Sequence, residues 1–378
     1  MQRFGELPAM LAIRDALPFS LIGLAAGIAL FFFASYWSGA PLPLAKRYAG
    51  SLLPGFGLMS VCLAGILPLH LARRLSLRAP LLIAAGMTAF LLSPPSARIV
   101  DVESYLRAIG ASGLFSAIVI AFAAAFLFVL ARRALRISSQ SWLPDAVGAV
   151  VVSGIAAALF LQHLSLGDAV VALIHPIGLL GDTYVALLVI TVVEMLLWTG
   201  GVHGPALLAG IVTPVYLVLQ QQNTAAYYDH APLPHIVVVS LFLFVFPGGA
   251  GATLPLVVML FFSRVDRLRK IARLTVLPSI VNINEPLLFG LPIVLNPFLA
   301  LPFVLAPAVL ATITYAAVNY GLVSRPAFYY PSSIPSVIST YLATLDWRAA
   351  VLVCINMLVA AAVYLPFFRA YERHEAAK

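Results

Sequence analysis

The stretch 277–297, LPSIVNINEPLLFGLPIVLNP, is apolar enough for a membrane, yet it carries a carboxylate and several prolines in its interior. Its carboxylate is Glu285, which Asn282 and Asn284 precede and Pro286 follows. Irregular backbone at membrane depth is tolerated only where it is buried in protein or lines a water-filled cavity. Broken or re-entrant helices of this kind are typical of the binding sites of secondary transporters. The stretch therefore predicts a transport-type site inside a membrane protein.

The rest of the chain is equally apolar. Of its 378 residues, 62% are hydrophobic and 10% are charged, whereas a soluble domain carries roughly 25% charged residues. Apolar runs recur near the length of about 20 residues that an α-helix needs to cross a bilayer. We therefore predict an all-α integral membrane protein with about ten transmembrane helices and a pair of re-entrant hairpins, near 198–222 and 277–300.

The two halves of the sequence differ in how often polar residues, glycine and proline interrupt the apolar runs. Residues 1–165 contain about five plain apolar spans and predict a scaffold, whereas glycine, proline and polar residues interrupt the spans of 166–378. We therefore predict that the second half binds the transported ligand.

The net charge of +8 raises the question of nucleic acid, but the cations lie in short clusters between apolar runs. The four clusters are Arg73, Arg74, Arg78; Arg132, Arg133, Arg136; Arg264, Arg267, Arg269, Lys270, Arg273; and Arg369, Arg373. Cytoplasmic loops have this composition. It predicts a multi-pass protein of the inner membrane with both termini in the cytoplasm, and no nucleic-acid partner.

Glu285 is the principal candidate site residue, because a carboxylate at membrane depth is costly unless it is paired, solvated or functional. Together with Asn282 and Asn284 it offers hydrogen-bond acceptors and donors side by side, which the hydroxyl groups of a sugar require. Asn296 lies farther along the same stretch, and Phe289 is a candidate for stacking on a sugar ring.

A second candidate group is the run WTGGVHGP at 198–205. Glycines beside His203 allow the backbone to approach a ligand, and Gly204 and Pro205 can begin a helix whose N-terminal amides face the site. Trp198 is a further candidate for stacking on a sugar. Glu194, one turn earlier, either supports the site or contacts lipid headgroups at the membrane surface.

The run PGGAGATL at 247–254 lacks the GK[ST] ending of a phosphate-binding loop. It predicts a tight glycine turn between two spans, with Thr253 as a neighbour of the ligand. We find no Walker A sequence and no cysteine or HExxH metal motif. The sequence therefore predicts neither a metal nor a cofactor.

Several of these motifs together resemble the membrane-embedded IIC component of the sugar phosphotransferase system, in its lactose/cellobiose/diacetylchitobiose branch. The resemblance is carried by NINEPLLFGLPIVLNP (282–297), WxxGxHG (198–204), GGAGATL (248–254), LPDAV (143–147) and YLPFF (364–368). It implies a homodimeric, elevator-type sugar permease whose first half dimerises and whose second half carries the sugar. It also implies that the sugar, a β-linked disaccharide in this branch, is phosphorylated by a separate IIB protein that works with IIA.

The resemblance assigns Glu285 and His203 to the hydroxyl that is phosphorylated, so any enzymatic activity depends on the IIB partner. An extra Gly201, and Pro205 after the HG pair, depart from the family pattern. Two alternatives stay open. One is a sugar-sensing module of the same fold that signals without phosphorylating sugar, and the other is a transporter that couples protons or sodium through Glu285.

Overall fold

A computed structural model describes residues 8–39, 44–94, 101–110, 112–135, 141–201, 204–291, 293, 296 and 298–377. Regular structure within these ranges is helical throughout and includes no β-strand. The prediction of an all-α protein is confirmed for these residues.

Seven α-helices cover the first part of the chain. They are α1 Pro8–Trp37, α2 Leu44–Leu75, α3 Ala79–Leu91, α4 Val102–Ile109, α5 Gly113–Leu135, α6 Leu143–Leu161 and α7 Leu166–Gly181. The amphipathic helix α4 begins with a capping box, because Asp101 accepts from the Ser104 backbone N–H while the Ser104 hydroxyl side chain accepts from the Asp101 N–H.

Shorter helices and longer connections follow. The helices are α8 Tyr184–Thr199, α9 Gly204–Tyr228, α10 Phe242–Val245, α11 Leu254–Phe261, α12 Asp266–Ile280, α13 Glu285–Gly290, α14 Ala300–Asn319, α15 Ser336–Thr344 and α16 Trp347–Ala376. A 3₁₀ turn, Val239–Leu241, leads into α10. These interruptions follow the glycines, prolines and polar residues that marked this part of the sequence.

Six of the described helices contain a segment long and apolar enough to cross a membrane. The segments are Phe19–Trp37, Gly50–Leu75, Gly113–Leu135, Leu143–Leu161, Ala300–Asn319 and Trp347–Ala376, and two shorter apolar helices, α3 and α8, accompany them. A multi-pass membrane protein is the architecture that these helices support.

The chain forms two compact units. The first contains residues 1–177 with 209–221, and the second contains residues 178–208 with 222–378.

In the first unit, helices α2, α3, α5 and α6 pack on one another, and α1 packs on α2. Asp145 at the start of α6 is fully buried and accepts from Arg132 Nε at 2.6 Å and Nη2 at 2.7 Å. Its Oδ2 also accepts from the backbone N–H of Arg78, while Arg132 Nη1 donates to the Ser76 carbonyl. One carboxylate thus joins the beginning of α6 to the end of α5 and to the turn between α2 and α3.

In the second unit, α11, α12, α13, α14 and α16 enclose an apolar core. The fully buried Tyr364 of α16 donates its hydroxyl to the carbonyl of Gly251 at 2.7 Å. Asn356, one of the buried polar residues of α16, donates to the carbonyl of Phe244 at the end of α10. Helix α16 therefore supports both the short helix α10 and the glycine turn that follows it.

The apolar run at 235–247 is only partly helical. Its helical part is Val239–Leu241 and α10, Phe242–Val245. The backbone N–H groups of Ile236 and Val237 donate to Asp182 Oδ1 at 3.0 and 2.7 Å. Because these N–H groups bind a side chain, the backbone at 235–237 is held in a non-helical conformation.

Candidate functional site

The glycine turn at 247–254 is joined to the NINEP segment by Asn284. This side chain is 3% exposed, and its Nδ2 donates to the Ala250 carbonyl at 2.6 Å and to Thr253 Oγ1 at 2.9 Å. The Thr253 hydroxyl in turn donates to the Gly248 carbonyl at 2.8 Å. The two predicted segments therefore form one structure, in which both N–H groups of Asn284 bind the turn.

The turn requires glycine where it meets Asn284. Gly249 has a φ of +88°, in the left-handed region, and a Cβ atom there would lie 2.7 Å from Asn284 Cγ. An L-residue would be strained by the backbone angle and would also displace the Asn284 amide. The glycines that suggested a phosphate loop thus serve close packing of two backbone segments.

Asn282 connects three segments of the chain. Its Nδ2 donates to the carbonyls of Ser332 at 2.7 Å and Ile334 at 3.0 Å. Its Oδ1 accepts from the backbone N–H of Gly248 at 2.8 Å and from Ser336 Oγ at 3.0 Å. A side-chain amide has two N–H donors and two acceptor lone pairs, so these four bonds use its full capacity.

Glu285 is the first residue of α13 and is partly exposed. Leu287 and Leu288 of the same helix are buried in the apolar core, which holds this short helix in place. The carboxylate therefore follows directly on the two asparagines, at the exposed edge of a well-anchored turn. Phe289 is 75% exposed, so its ring is available to a ligand or to another apolar surface.

The second candidate group is described in part. His203 lies outside the described residues, whereas Gly204 is buried and begins α9. A Cβ atom on Gly204 would lie 2.0 Å from the carbonyl oxygen of Glu194, so glycine is required for this close approach. Trp198 is 6% exposed and packs in the core that also contains Leu287 and Leu288. The indole of Trp198 therefore belongs to the core. The same core contains residues of α13, the helix that Glu285 begins.

Asn296 has a local role in the described structure. Its side chain is buried, and its Oδ1 accepts from the backbone N–H groups of Phe298 at 2.9 Å and Leu299 at 3.2 Å. These bonds satisfy backbone donors in the turn that precedes α14, as capping side chains do at helix starts.

The structure thus brings Thr253, Asn282, Asn284 and Glu285 together. It also adds a segment outside the candidate motifs, because the carbonyls of Ser332 and Ile334 and the hydroxyl of Ser336 bind Asn282. Hydroxyl residues in PSSIPS at 331–336 were the only sequence signal of this segment. Its contact with a site about 50 residues earlier depends on the tertiary fold.

Two tyrosines precede this segment, outside the helices. Burial raises the pKa of Tyr329 to about 12 and that of Tyr330 to about 12. Both phenols therefore stay protonated and neutral at physiological pH, with hydroxyl groups that can donate as well as accept.

The described residues include no group of three or more His, Cys, Asp or Glu side chains with the geometry of a metal site. What the arrangement offers to a ligand is the partly exposed carboxylate of Glu285 and, on the same short helix, the exposed ring of Phe289. These groups suit a neutral, polyhydroxylated ligand.

A protein-family model matches most of this chain. Residues 12–307 match the family model described as Phosphotransferase system, EIIC. A cellobiose-specific EIIC component from Geobacillus stearothermophilus is 35% identical over 71% of this chain and 64% of its own length. A lactose-specific EIICB component from Lacticaseibacillus casei is 29% identical over 54% of this chain and 36% of its own length.

The fold has a counterpart of known structure. The chain superimposes with a TM-score of 0.85 on the transporter ChbC, the IIC component of the N,N'-diacetylchitobiose-specific phosphotransferase system. The alignment covers 100% of this chain and 96% of ChbC, at 24% sequence identity. Among the most similar curated relatives, the chain spans between 46% and 64% of their lengths. The match to the family model, which extends over most of the sequence, identifies this chain as a member of the EIIC family of the phosphotransferase system.

Proposed function

We propose that this protein is a sugar permease of the phosphotransferase system that carries a β-linked disaccharide across the inner membrane. The observation that carries the proposal is the anchoring of the Glu285 turn, through Asn282 and Asn284, to the glycine turn at 247–254. Family membership and the cellobiose specificity named for a relative support the class of sugar.

Transport in this proposal is coupled to phosphorylation by a separate IIB protein, which IIA supplies with phosphate. The lactose-specific relative is named as an EIICB component, which supports a IIB partner. Glu285 accepts the proton of the sugar hydroxyl while the hydroxyl oxygen attacks the phosphorus of phosphocysteine on IIB. The P–O bond forms, the P–S bond breaks and the cysteine thiolate leaves. Positioning of the hydroxyl supplies most of the catalysis in such a transfer.

His203 is the second catalytic residue of the proposal and contacts the same hydroxyl. Asn284, Gly204, Trp198, Thr253 and Phe289 are proposed to contact or border the sugar, with Asn282 and Asn296 nearby. Because Asn282 and Asn296 hold backbone groups, and Asn284 uses both N–H groups on the glycine turn, we expect their effect on the sugar to be mainly through position.

The wider architecture is part of the same proposal. It comprises about ten membrane spans with re-entrant hairpins near 198–222 and 277–300, a scaffold in residues 1–165, and a sugar-carrying part in 166–378 that moves as an elevator. A homodimer through the scaffold, and both termini in the cytoplasm, complete it. The basic clusters between the apolar runs support this orientation.

The test is sugar phosphorylation by membranes that contain this chain, with phosphorylated IIB and a panel of cellobiose, lactose and N,N'-diacetylchitobiose. The matched variants are Glu285→Gln, which removes the base without changing shape, and Asp229→Asn, which removes an exposed carboxylate elsewhere in the second unit. We expect Glu285→Gln to abolish sugar phosphate while sugar binding stays within about tenfold, or ~1.4 kcal/mol.

Unchanged phosphorylation in Glu285→Gln would remove the proposed base. Sugar binding by the wild-type protein without any phosphorylated product would instead favour the sugar-sensing alternative.

A further inference from the structure

The inward face of α8 carries a carboxylate and a hydroxyl that the proposed mechanism does not use. Glu194 is 7% exposed and Thr191 is fully buried. Residues three apart on a helix are neighbours on one face, so the two side chains lie side by side. Both belong to a short apolar helix of the second unit.

Neither side chain has a polar partner within the part of the chain that the structure describes. Thr191 Oγ1 makes no hydrogen bond there, and no described group donates to the Glu194 carboxylate or forms an ion pair with it. Buried polar groups are normally paired, and a buried carboxylate in an apolar helix is retained where it has a function. The pair therefore requires hydrogen-bond donors from something other than the described side chains.

Burial also decides between the two roles that the sequence left open for Glu194. A carboxylate that contacts lipid headgroups would lie on the outer surface of a helix end. Glu194 instead lies among inward-facing residues of α8, between Thr191 and the buried Met195 and Trp198. The headgroup role is therefore wrong for this side chain.

Glu194 lies beside one of the segments that are proposed to bind sugar. A Cβ atom added to Gly204, the first residue of α9, would lie 2.0 Å from the carbonyl oxygen of Glu194, so the two backbones are in close contact. One turn beyond Glu194, Trp198 shares the apolar core with Leu287 of α13, the helix that Glu285 begins.

We propose that Glu194 and Thr191 form a second hydroxyl-binding subsite for the sugar, separate from the hydroxyl that Glu285 activates. This inference rests on the proposed function. The Glu194 carboxylate accepts hydrogen bonds from sugar hydroxyl groups, and the Thr191 hydroxyl donates to or accepts from one of them. The subsite binds and orients the sugar but takes no part in proton or phosphoryl transfer.

The experiment is calorimetric titration of the purified protein in detergent with cellobiose, lactose and N,N'-diacetylchitobiose, combined with thermal unfolding of the ligand-free protein. The variants are Glu194→Gln and Thr191→Val, which keep the shape of each side chain. Matched controls are Asp229→Asn and Thr88→Val, because Asp229 and Thr88 are both exposed and lie outside α8.

We expect Glu194→Gln to weaken binding of the best sugar at least tenfold and Thr191→Val at least threefold, with both controls unchanged. The melting temperature of ligand-free Glu194→Gln should equal or exceed that of the wild type, because removal of an unpaired buried charge does not destabilise the fold. A residue that only supports the structure would lower the melting temperature instead.

Deoxy analogues of the same sugar identify the contact. Deletion of the hydroxyl that binds Glu194 should weaken binding to the wild type but not to Glu194→Gln. Wild-type affinity in both Glu194→Gln and Thr191→Val would overturn the inference while leaving the proposed function intact. Absence of sugar binding by the wild-type protein would overturn the proposed function and this subsite together.

Discussion

Asn282 accepts a hydrogen bond from the backbone N–H of Gly248 at 2.8 Å, across a separation of 34 residues in the sequence. The same side chain holds Ser332, Ile334 and Ser336, so one amide sets the spacing of three backbone segments around Glu285. Its φ of +61° lies in the left-handed region, which asparagine tolerates better than most residues. Through its left-handed backbone conformation and its side-chain hydrogen bonds, Asn282 holds the segments of the candidate site together.

If Asn282 acts through position, Asn282→Ala should lower the rate of sugar phosphorylation per bound sugar more than it lowers affinity. Ser336→Ala removes only one of the four bonds of Asn282 and should produce a smaller effect of the same kind. The two effects should be non-additive, because both act on one hydrogen-bond network. Steady-state kinetics normalised to the number of sugar-binding sites measures this. Loss of affinity tied to a single sugar hydroxyl would show direct contact instead. Tyr341→Phe, which removes an exposed hydroxyl from the same helix, serves as the control.

Thr253→Val should destabilise the glycine turn, because it leaves a donor of Asn284 and the carbonyl of Gly248 without their partner. An unsatisfied buried polar group costs about 1–3 kcal/mol. We expect a lower melting temperature and weaker sugar binding in detergent. Thr253→Ser keeps the hydroxyl and should stay near wild type in both measurements. Equal losses in Thr253→Ser and Thr253→Val would indicate that the methyl group, rather than the hydroxyl, matters.

Asp145→Ala should be among the most destabilising substitutions in the first unit, because it leaves Arg132 without its bidentate partner. Breaking a buried ion pair from one side costs about 3–5 kcal/mol. Thermal unfolding followed by size-exclusion chromatography measures the loss, with Arg133→Gln, at an exposed neighbouring arginine, as the control. The double variant Arg132→Met/Asp145→Leu should recover much of the stability, and failure to recover would point to the bonds with Ser76 and Arg78.

The hydrogen bonds of Asp346 predict that the stability of the folded protein depends on pH. It caps α16 at Arg348 N and also binds Ser324 through the backbone N–H and hydroxyl. Burial alone would raise the pKa of its carboxyl, but hydrogen bonds from Arg348 and Ser324 outweigh burial and hold the pKa well below its usual range. A lowered pKa in the folded state contributes stability above the ordinary Asp pKa of about 4, and this stability is lost as the pH falls below that value.

Asp346→Asn keeps the capping oxygen but removes the charge. We therefore expect a lower melting temperature than wild type at pH 7, with the difference shrinking as the pH falls from 4 to 3. Melting curves of both proteins in detergent between pH 3 and 8 test this. A difference that stays constant over the whole range would mean that the charge of Asp346 contributes nothing to stability.

The amino-acid sequence by itself determined the class of protein, its family and the segments of the candidate site. Apolar runs of spanning length are a local property, and NINEP and GGAGATL are recognisable without knowing what they contact. Glu285 as the principal candidate residue followed from its chemistry alone, since a carboxylate in so apolar a stretch needs an explanation.

Only the tertiary structure decided what the polar residues do. The sequence indicated Asn282 as a sugar-binding residue. In the structure its four hydrogen-bond partners come from residues 248 and 332–336, which lie 34 to 54 residues away. The apolar run at 235–247 is helical only over 239–245, because Asp182, more than 50 residues earlier, binds the backbone at 236 and 237. Glu194 was ambiguous because a helix has two faces, and packing determined which of them points inward. Hydrogen bonds and burial between distant segments depend on which segments meet in the folded chain. The local periodicity of the sequence carries no information about these tertiary contacts.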